Sequence, residues 1–188
     1  MFSFCKSKHE IKNISSNIAK AYKETYITNF FTEIETRVNT QQGGKCALYH
    51  TLKRNYKRES YLELESNKLR RNITQIRISC HNLPIEYLRK LNISRENRKC
   101  ILCRSQEIGS EEHVLIYCEN KDIVQHRKTL LDKITTVNYD FVKLNTYDKF
   151  IYLLLAIDNE VNFYFAIFLD KVYCLVDRVR KELNKKPK

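Results

Sequence analysis

The spacing of apolar residues along the chain predicts helices. From Ile11 to Val38 they recur in steps of three and four, with a gap near Thr25. This pattern indicates one long amphipathic helix, either continuous or broken at that gap. Two glutamines and two glycines at residues 41–44 end the pattern and predict a linker.

A second helical pattern lies between Leu69 and Leu83. Pro84 disfavours helical geometry at the residue before it, so this helix is expected to end there. Arg70, Arg77 and His81 are expected on a polar face of the helix. The apolar stripe, in steps of four, three, four and three, consists of Leu69, Ile73, Ile76, Cys80 and Leu83. Because Cys80 belongs to this stripe, no second metal site is expected beside His81.

The last third of the chain predicts three more helices. The first should carry Arg127 and Lys128 outward, on the face opposite Ile123, Leu130, Leu131 and Ile134. Residues 150–157 are apolar on nearly every side and should be buried, and Asp158 and Asn159 should break that helix. The buried positions expected on the final helix are Val161, Phe165, Phe168, Val172, Cys174, Leu175, Val179 and Leu183.

Composition agrees with a helical fold, since three glycines and two prolines in 188 residues argue against a hairpin-rich sheet. The predicted fold is mainly α, a helical domain with a small embedded zinc-binding module of the CCHC type. Four segments are expected. They are an N-terminal amphipathic helix with the Gly-Gly linker (1–44), a basic helical segment (45–97), the zinc-binding module (98–130) and a C-terminal apolar helical hairpin with a basic tail (131–188).

The candidate metal ligands are Cys100, Cys103, His113 and Cys118, in the spacing C-x2-C-x9-H-x4-C. Two thiolates three residues apart can hold one ion from a tight turn, and a His and a third Cys complete a zinc tetrahedron. Ser110 before two glutamates predicts a helix N-terminus just ahead of His113. On an ideal helix, Cys118 lies about 140° around from His113, so both reach one ion only if the helix frays or ends near Cys118.

Two alternatives remain for this cluster. The cysteines could be ordinary buried residues beside a surface histidine, since free cysteine is among the most buried residue types. The gap of nine residues matches no standard finger spacing, and His126 is the reserve ligand if His113 does not bind.

Charge points to a polyanionic partner. The net charge is +12 and the isoelectric point is near 9.4, although a lysine-rich surface kept for solubility would give the same values. Lys53 and Arg54 lie among Tyr49, Tyr56 and Tyr61, a mixture that suits single-stranded nucleic acid because bases stack on rings while cations meet phosphates. Partly buried tyrosines on a solvated basic helix would give the same sequence pattern.

Cysteine usage and hydropathy predict an intracellular protein, in the nucleus or cytoplasm. Seven cysteines form no regular disulfide framework. The apolar residues 1–5 are followed at once by charged ones, unlike a secretory signal. No run reaches the roughly 18 apolar residues that a membrane span needs, so no membrane partner is expected.

Three segments resemble the region C-terminal to the polymerase in reverse transcriptases of non-LTR retrotransposons. The likeness consists of an Arg-rich helix ending at a leucine-proline turn, a Cys-x2-Cys, an acidic residue shortly before a His, and a Cys five residues later. The segments, within residues 45–127, are KCALYHTLKRNYKRESYLEL, RRNITQIRISCHNLPIEYLRK and ENRKCILCRSQEIGSEEHVLIYCENKDIVQHR.

The resemblance implies that Cys100, Cys103, His113 and Cys118 coordinate zinc. It also implies contacts with template RNA or target DNA through Arg70, Arg71, Arg77, Arg98 and Lys99. The chain departs from the family because it has no Tyr-Ala-Asp-Asp-type box and no close acidic pair for two-metal phosphoryl transfer. It is therefore expected to act beside a polymerase domain on another chain, or to be a remnant of a retroelement reading frame.

Three functions follow from these observations. A non-catalytic zinc module that binds the backbone of RNA or DNA comes first, with Arg98, Lys99 and Arg104 beside the ligands as contacts. The alternative is a zinc-stabilised protein-interaction module or a non-functional remnant. A hydrolase is disfavoured, because four protein ligands would close the coordination that a catalytic zinc keeps open.

Overall fold

The computed structural model describes residues 8–39, 47–53, 58–155 and 158–185, and within them it contains seven α-helices and no strand. The prediction of a mainly α fold is confirmed. The chain divides into two compact units, Met1–Tyr56 and Lys57–Lys188, which are described separately. The helices are α1 (Lys8–Asn39), α2 (Ala47–Leu52), α3 (Asn67–Arg77), α4 (Pro84–Lys90), α5 (Lys121–Val137), α6 (Thr146–Leu155) and α7 (Asn159–Lys185).

The first unit contains α1 and α2. Helix α1 continues through Thr25 without a break, and Phe30 on α1 meets Tyr49 on α2 edge-on, with ring centroids 6.3 Å apart. The predicted apolar positions Ile14, Ile18 and Tyr22 of α1 are exposed and not buried. The predicted linker at residues 41–44 lies outside the described residues.

Helix α7 organises the second unit, because it packs against both α3 and α5. A helix with neighbours on two sides buries more than one stripe. The predicted stripe is confirmed for Val161, Phe165, Phe168, Val172 and Leu175, while Val179 is half-buried and Leu183 is exposed. The burial that the single stripe did not predict is at Asn162, Ala166, Leu169 and Val176.

Helix α6 buries Phe150, Leu153 and Leu154. Ile151, Tyr152 and Leu155 are half-buried, so the expected burial on nearly every side is met in part, and residues 156 and 157 lie outside the described residues. The break that follows is an N-cap, since the Asp158 carboxylate accepts hydrogen bonds from the backbone N–H groups of Glu160 at 2.8 Å and Val161 at 3.0 Å. In the part of the chain described, no single helix is both long and apolar enough to cross a membrane, and α6 with α7 meets that test only as a pair bent by 103°.

Helix α3 is shorter than predicted. It ends at Arg77, and Ser79 then adopts a left-handed φ of 49°, which takes the chain off the helical path. Pro84 does not end this helix; it occupies the first turn of α4, where its missing N–H costs no hydrogen bond.

The predicted core positions of Cys80 and Cys174 are wrong, because both residues are exposed. Cys80 lies beyond the end of α3, so the helical spacing that placed it in the stripe does not extend to it. Cys174 lies on a side of α7 that also exposes Lys171 and Arg178.

Candidate metal centre

A short hairpin positions the first two candidate ligands. Lys99 and Ile108 pair in an isolated antiparallel bridge, and the Cys100 N–H donates to the carbonyl of Glu107 at 2.8 Å. Gln106 adopts a left-handed φ of 58°, which helps reverse the chain between the two arms. Cys100 and Cys103 thus lie in the tight loop that a Cys-x2-Cys pair requires. We call residues 98–118, the hairpin with the turn that follows it, the knuckle.

A π-helical turn, His113–Tyr117, positions the other two ligands. The Ser110 hydroxyl accepts a hydrogen bond from the His113 N–H at 3.1 Å, which confirms the predicted cap. The Cys118 N–H donates to the carbonyl of His113 at 2.6 Å, five residues back. This bond closes a wider turn than an α-helix makes and brings residues five apart to one side. The structure thereby resolves the angular mismatch that an ideal helix would impose.

The four predicted ligands form one group, with one ligand atom from each all within 4.8 Å of one another. The Sγ atoms of Cys100 and Cys118 are 3.9 Å apart, and the Sγ of Cys103 is 3.3 Å from His113 Nε2. A zinc tetrahedron with bonds of about 2.3 Å to sulfur and about 2.0 Å to nitrogen has S···S edges of about 3.8 Å and S···N edges of about 3.6 Å. The group can therefore hold a metal ion.

The hydrogen bond between Cys100 and Cys118 prepares one thiol of this group to lose its proton, whereas burial opposes that loss. Cys100, His113 and Cys118 are buried and Cys103 is half-buried. A hydrogen bond from the Cys118 thiol lowers the pKa of Cys100 to about 5. The same contact, together with burial, raises the pKa of the Cys118 thiol. The buried pair thus carries one charge by itself, and a second thiolate there needs a cation between the sulfur atoms.

Arg127 on α5 is hydrogen-bonded to the backbone of the knuckle. The prediction that this side chain points outward is therefore wrong. Its guanidinium donates hydrogen bonds to the carbonyls of Leu115 at 2.8 Å and Cys118 at 2.7 Å. These carbonyls lie at the end of the π-helical turn, where they have no partner within the turn. With a divalent ion bound, three thiolates and a neutral imidazole would leave one net negative charge, which this half-buried cation would complement.

Gly109 holds the hairpin against α4, and the sequence offered no sign of this role. A Cβ on Gly109 would lie 2.5 Å from Cβ of Pro84 and 3.1 Å from Cα of Cys100. The Gly109 carbonyl accepts a hydrogen bond from the N–H of Ile85 at 3.0 Å. The backbone of the knuckle can approach α4 this closely only because residue 109 has no side chain.

A buried histidine–carboxylate pair braces the knuckle from the segment after α3. His81 Nδ1 accepts a hydrogen bond from the Leu83 N–H at 3.2 Å, which leaves Nε2 to donate to the Glu111 carboxylate at 3.0 Å. Burial acts to raise the pKa of Glu111, but the hydrogen bond from His81 holds it below its usual value. His81 is therefore buried beyond the end of α3 and does not share a helix face with Arg70 and Arg77 as predicted.

His126, the reserve ligand, is not part of the metal-binding group. It lies on α5 and lines a groove between α5 and α7, together with Lys133, Tyr164 and Lys171. Burial and the charge of Lys171 lower its pKa.

The predicted nucleic-acid contacts fall into different surroundings. Arg98, Lys99 and Arg104 lie on the knuckle, where Lys99 and Arg104 are exposed and Arg98 donates to the carbonyl of Ile93 at 2.8 Å. On α3, Arg71 is exposed and the half-buried Arg70 bonds to the carbonyl of Leu64 and to Asn67. Lys53 belongs to the first unit, and Arg54 lies outside the described residues.

The prediction that Arg77 contacts phosphate is wrong. The residue is 1% exposed, its guanidinium donates to the carbonyl of Leu154 and to Glu59, and it lies 5.5 Å from the ring centroid of Tyr61. It joins α3 to the end of α6, because a buried guanidinium must satisfy its donors within the protein.

Searches for similar proteins add no family to this picture: no protein-family model, curated protein or solved structure matches the chain.

Proposed function

We propose that this protein is a non-catalytic, zinc-stabilised module that binds the backbone of RNA or DNA. The observation that carries the proposal is the group of Cys100, Cys103, His113 and Cys118 within 4.8 Å, on a hairpin that exposes Lys99 and Arg104. The metal orders a small surface, and the cations on and around that surface meet phosphates.

Zinc fits this ligand set better than other common ions. Thiolates are soft ligands that select zinc or copper(I) over magnesium and calcium, which prefer oxygen. Three sulfur atoms and one nitrogen atom within 4.8 Å of one another suit a structural zinc. Four protein ligands leave no position for a water or a substrate, so the proposed role is to stabilise the fold and not to catalyse a reaction.

The basic character of the chain supports a nucleic acid as the partner. A net charge of +12 attracts polyanions, and the cations of the knuckle lie on a surface that the proposed metal would make rigid. The resemblance to the region that follows the polymerase in non-LTR retrotransposon reverse transcriptases suggests the same kind of ligand. In this proposal the module works beside a reverse-transcriptase polymerase domain.

A protein-interaction module is the second candidate, and one observation favours it. Helix α1 exposes Ile14, Ile18, Tyr22 and Tyr26 at intervals of four residues. Such a row could dock on the apolar face of a partner. In this alternative the zinc serves only the fold.

Metal analysis of the purified protein tests the first part of the proposal. We expect about one zinc per chain, as for a single four-ligand site. Cys103→Ser should lose the metal, whereas Cys80→Ser and Cys174→Ser should keep it, because these cysteines are exposed and outside the group. Absence of stoichiometric metal would remove the zinc site.

A gel shift with single-stranded RNA tests the second part. Backbone-directed binding should have little base preference and should weaken steeply as salt is raised, because released counterions drive it. A protein that carries zinc but gives no shift, or a salt-insensitive one, favours the protein-interaction module.

A further inference from the structure

Helix α7 presents a row of exposed basic side chains along one side. The row has four exposed cations, Lys171, Arg178, Lys181 and Lys185, and the exposed Cys174 occupies its second position. Steps of three, four, three and four residues keep these side chains on one side of the helix. From Lys171 to Lys185 the row covers 15 residues, and the 14 steps between its ends rise about 21 Å at about 1.5 Å per residue.

At its N-terminal end the row opens into the groove between α5 and α7. This groove has a volume of about 50 Å³, and no acidic residue is among those that line it. Three of the lining side chains carry basic nitrogen atoms: His126 and Lys133 from α5, and Lys171 from α7. The ammonium group of Lys133 lies 5.9 Å from the ring centroid of Tyr164. The groove thus offers converging donors for one anionic group, with an aromatic ring beside them.

Two acidic side chains near the row are already paired. Asp170 forms an ion pair with Lys68 of α3 at 2.7 Å, and Asp177 pairs with Arg180 at 3.1 Å. Arg71, exposed on α3, lies near Lys68 and adds a cation on that side. The row itself therefore has four exposed cations and one exposed carboxylate near its far end, Glu182. At the groove, the Glu160 carboxylate accepts a hydrogen bond from the Tyr164 hydroxyl at 3.2 Å, and Asp122 lies near His126.

From this arrangement we propose that a single strand of RNA runs along α7, with one backbone phosphate at the mouth of the α5–α7 groove. That phosphate contacts Lys133 and Lys171, and the following phosphates contact Arg178, Lys181 and Lys185. We name the seven residues His126, Lys133, Tyr164, Lys171, Arg178, Lys181 and Lys185 the α7 track. This inference deepens the proposed function and rests on it.

A single strand fits this surface better than a duplex does. One row of cations on a convex helix can follow one backbone, and a strand without a partner can turn a base toward Tyr164. A duplex would present its second backbone to no comparable row on α7. A row of this length can contact several consecutive phosphates of one strand.

The test compares two variants that lose the same charge. Lys171→Gln, Arg178→Gln and Lys181→Gln together remove three cations from the α7 track. The control, Lys12→Gln, Lys20→Gln and Lys23→Gln, removes three exposed lysines from α1. Fluorescence anisotropy with a labelled 12-nucleotide oligouridylate measures affinity at several salt concentrations.

We expect the track variant to bind at least tenfold more weakly and the control about as well as the unchanged protein. The plot of log affinity against log salt should also flatten by about two units for the track variant, since each single-strand phosphate contact contributes about 0.7. Equal loss in both variants would mean that only total charge matters, and this overturns the track. Unchanged affinity in the track variant also overturns it, while RNA binding by the unchanged protein would still support the proposed function.

Cys174 supplies an independent reporter because it lies within the row. Bound oligouridylate should slow alkylation of Cys174, as measured by peptide mass mapping, and should leave the exposed Cys80 unaffected. Protection of neither cysteine, or of both equally, would contradict an RNA strand lying on α7. If the unchanged protein binds no oligouridylate at all, the proposed function fails together with the track. Competition by a DNA duplex or an acidic peptide that equals the single strand would point to another partner.

Discussion

The knuckle hairpin and helix α7 are stabilised in different ways. Helix α7 has nine buried positions, almost all apolar, and burial of large apolar side chains is the main favourable term in folding. The hairpin, residues 98–109, buries Leu102 as its single large apolar side chain. The hairpin is ordered by the four candidate metal ligands, by the contact of Gly109 with α4 and by side-chain hydrogen bonds. Helix α7 and the helices packed against it can therefore remain folded under conditions that disorder the hairpin.

Metal removal is expected to have the largest effect, and it should separate the two regions. Structural zinc contributes on the order of 10 kcal/mol to zinc-finger folding, and the hairpin has little else to replace it. Chelation should make the amides of residues 98–109 exchange rapidly with solvent, while those of α3, α5 and α7 stay protected. Hydrogen exchange read by mass spectrometry measures this. Unfolding of the whole second unit, or no change in the hairpin, would contradict the comparison.

Phe165→Ala is expected to have the next largest effect, by destabilising the apolar core around α7. Phe165 is fully buried on α7, and removing a core phenyl ring costs about 3–5 kcal/mol of unfolding free energy. Phe163→Ala is the matched control, since Phe163 is 43% exposed on the same helix and its loss should cost much less. Urea unfolding followed by circular dichroism measures both. Equal costs would show that α7 is not the core element described above.

Gly109→Ala tests how tightly the hairpin is held on α4. The new methyl group would meet the rigid Pro84 ring and the Cys100 backbone, and overpacking of this kind costs about 1–3 kcal/mol. Because Cys100 is a ligand, we expect metal affinity to fall along with thermal stability. Competition with a chromophoric chelator measures that affinity. A variant with full metal affinity would show that the hairpin and α4 are independent.

Asn120→Asp is expected to have the smallest effect, and it separates two roles of one side chain. The Asn120 side-chain oxygen caps α5 by accepting from the N–H groups of Asp122 and Ile123, and its amide donates to the carbonyl of Leu102 at 2.9 Å. Aspartate caps as well as asparagine does but cannot donate. We expect a loss of about 1 kcal/mol, measured by thermal unfolding, together with faster exchange in the hairpin.

The matched control for Asn120→Asp is Asp158→Asn, which keeps the cap of α7. It changes no donor toward the knuckle and should leave hairpin exchange unaltered. A similar change in hairpin exchange from both variants would mean that the Asn120–Leu102 bond has no separate role.

Much of the fold and the four candidate metal ligands could be predicted, because both depend on the spacing of residues close together in the sequence. The apolar spacing from Val161 to Leu175 predicts the buried face of α7, and Cys-x2-Cys predicts one end of the metal site. The π-helical turn could not be predicted, since its wider winding depends on how His113 and Cys118 pack against neighbouring elements. The end of helix α3 could not be predicted for a similar reason. The apolar spacing continues through Cys80, but the backbone turns at Ser79.

The amino-acid sequence by itself determined the helical class, the ligand set and the positive charge, because periodicity, residue type and net charge are local or additive properties. Only the tertiary structure decided which cations face solvent. Arg77 is enclosed by groups as distant in the chain as Leu154, 77 residues away, and Arg127 by the carbonyls of the knuckle. Lys171 and Arg178 stay exposed on α7. A guanidinium is buried where distant carbonyls and carboxylates can accept its hydrogen bonds, and only the folded chain brings those acceptors together.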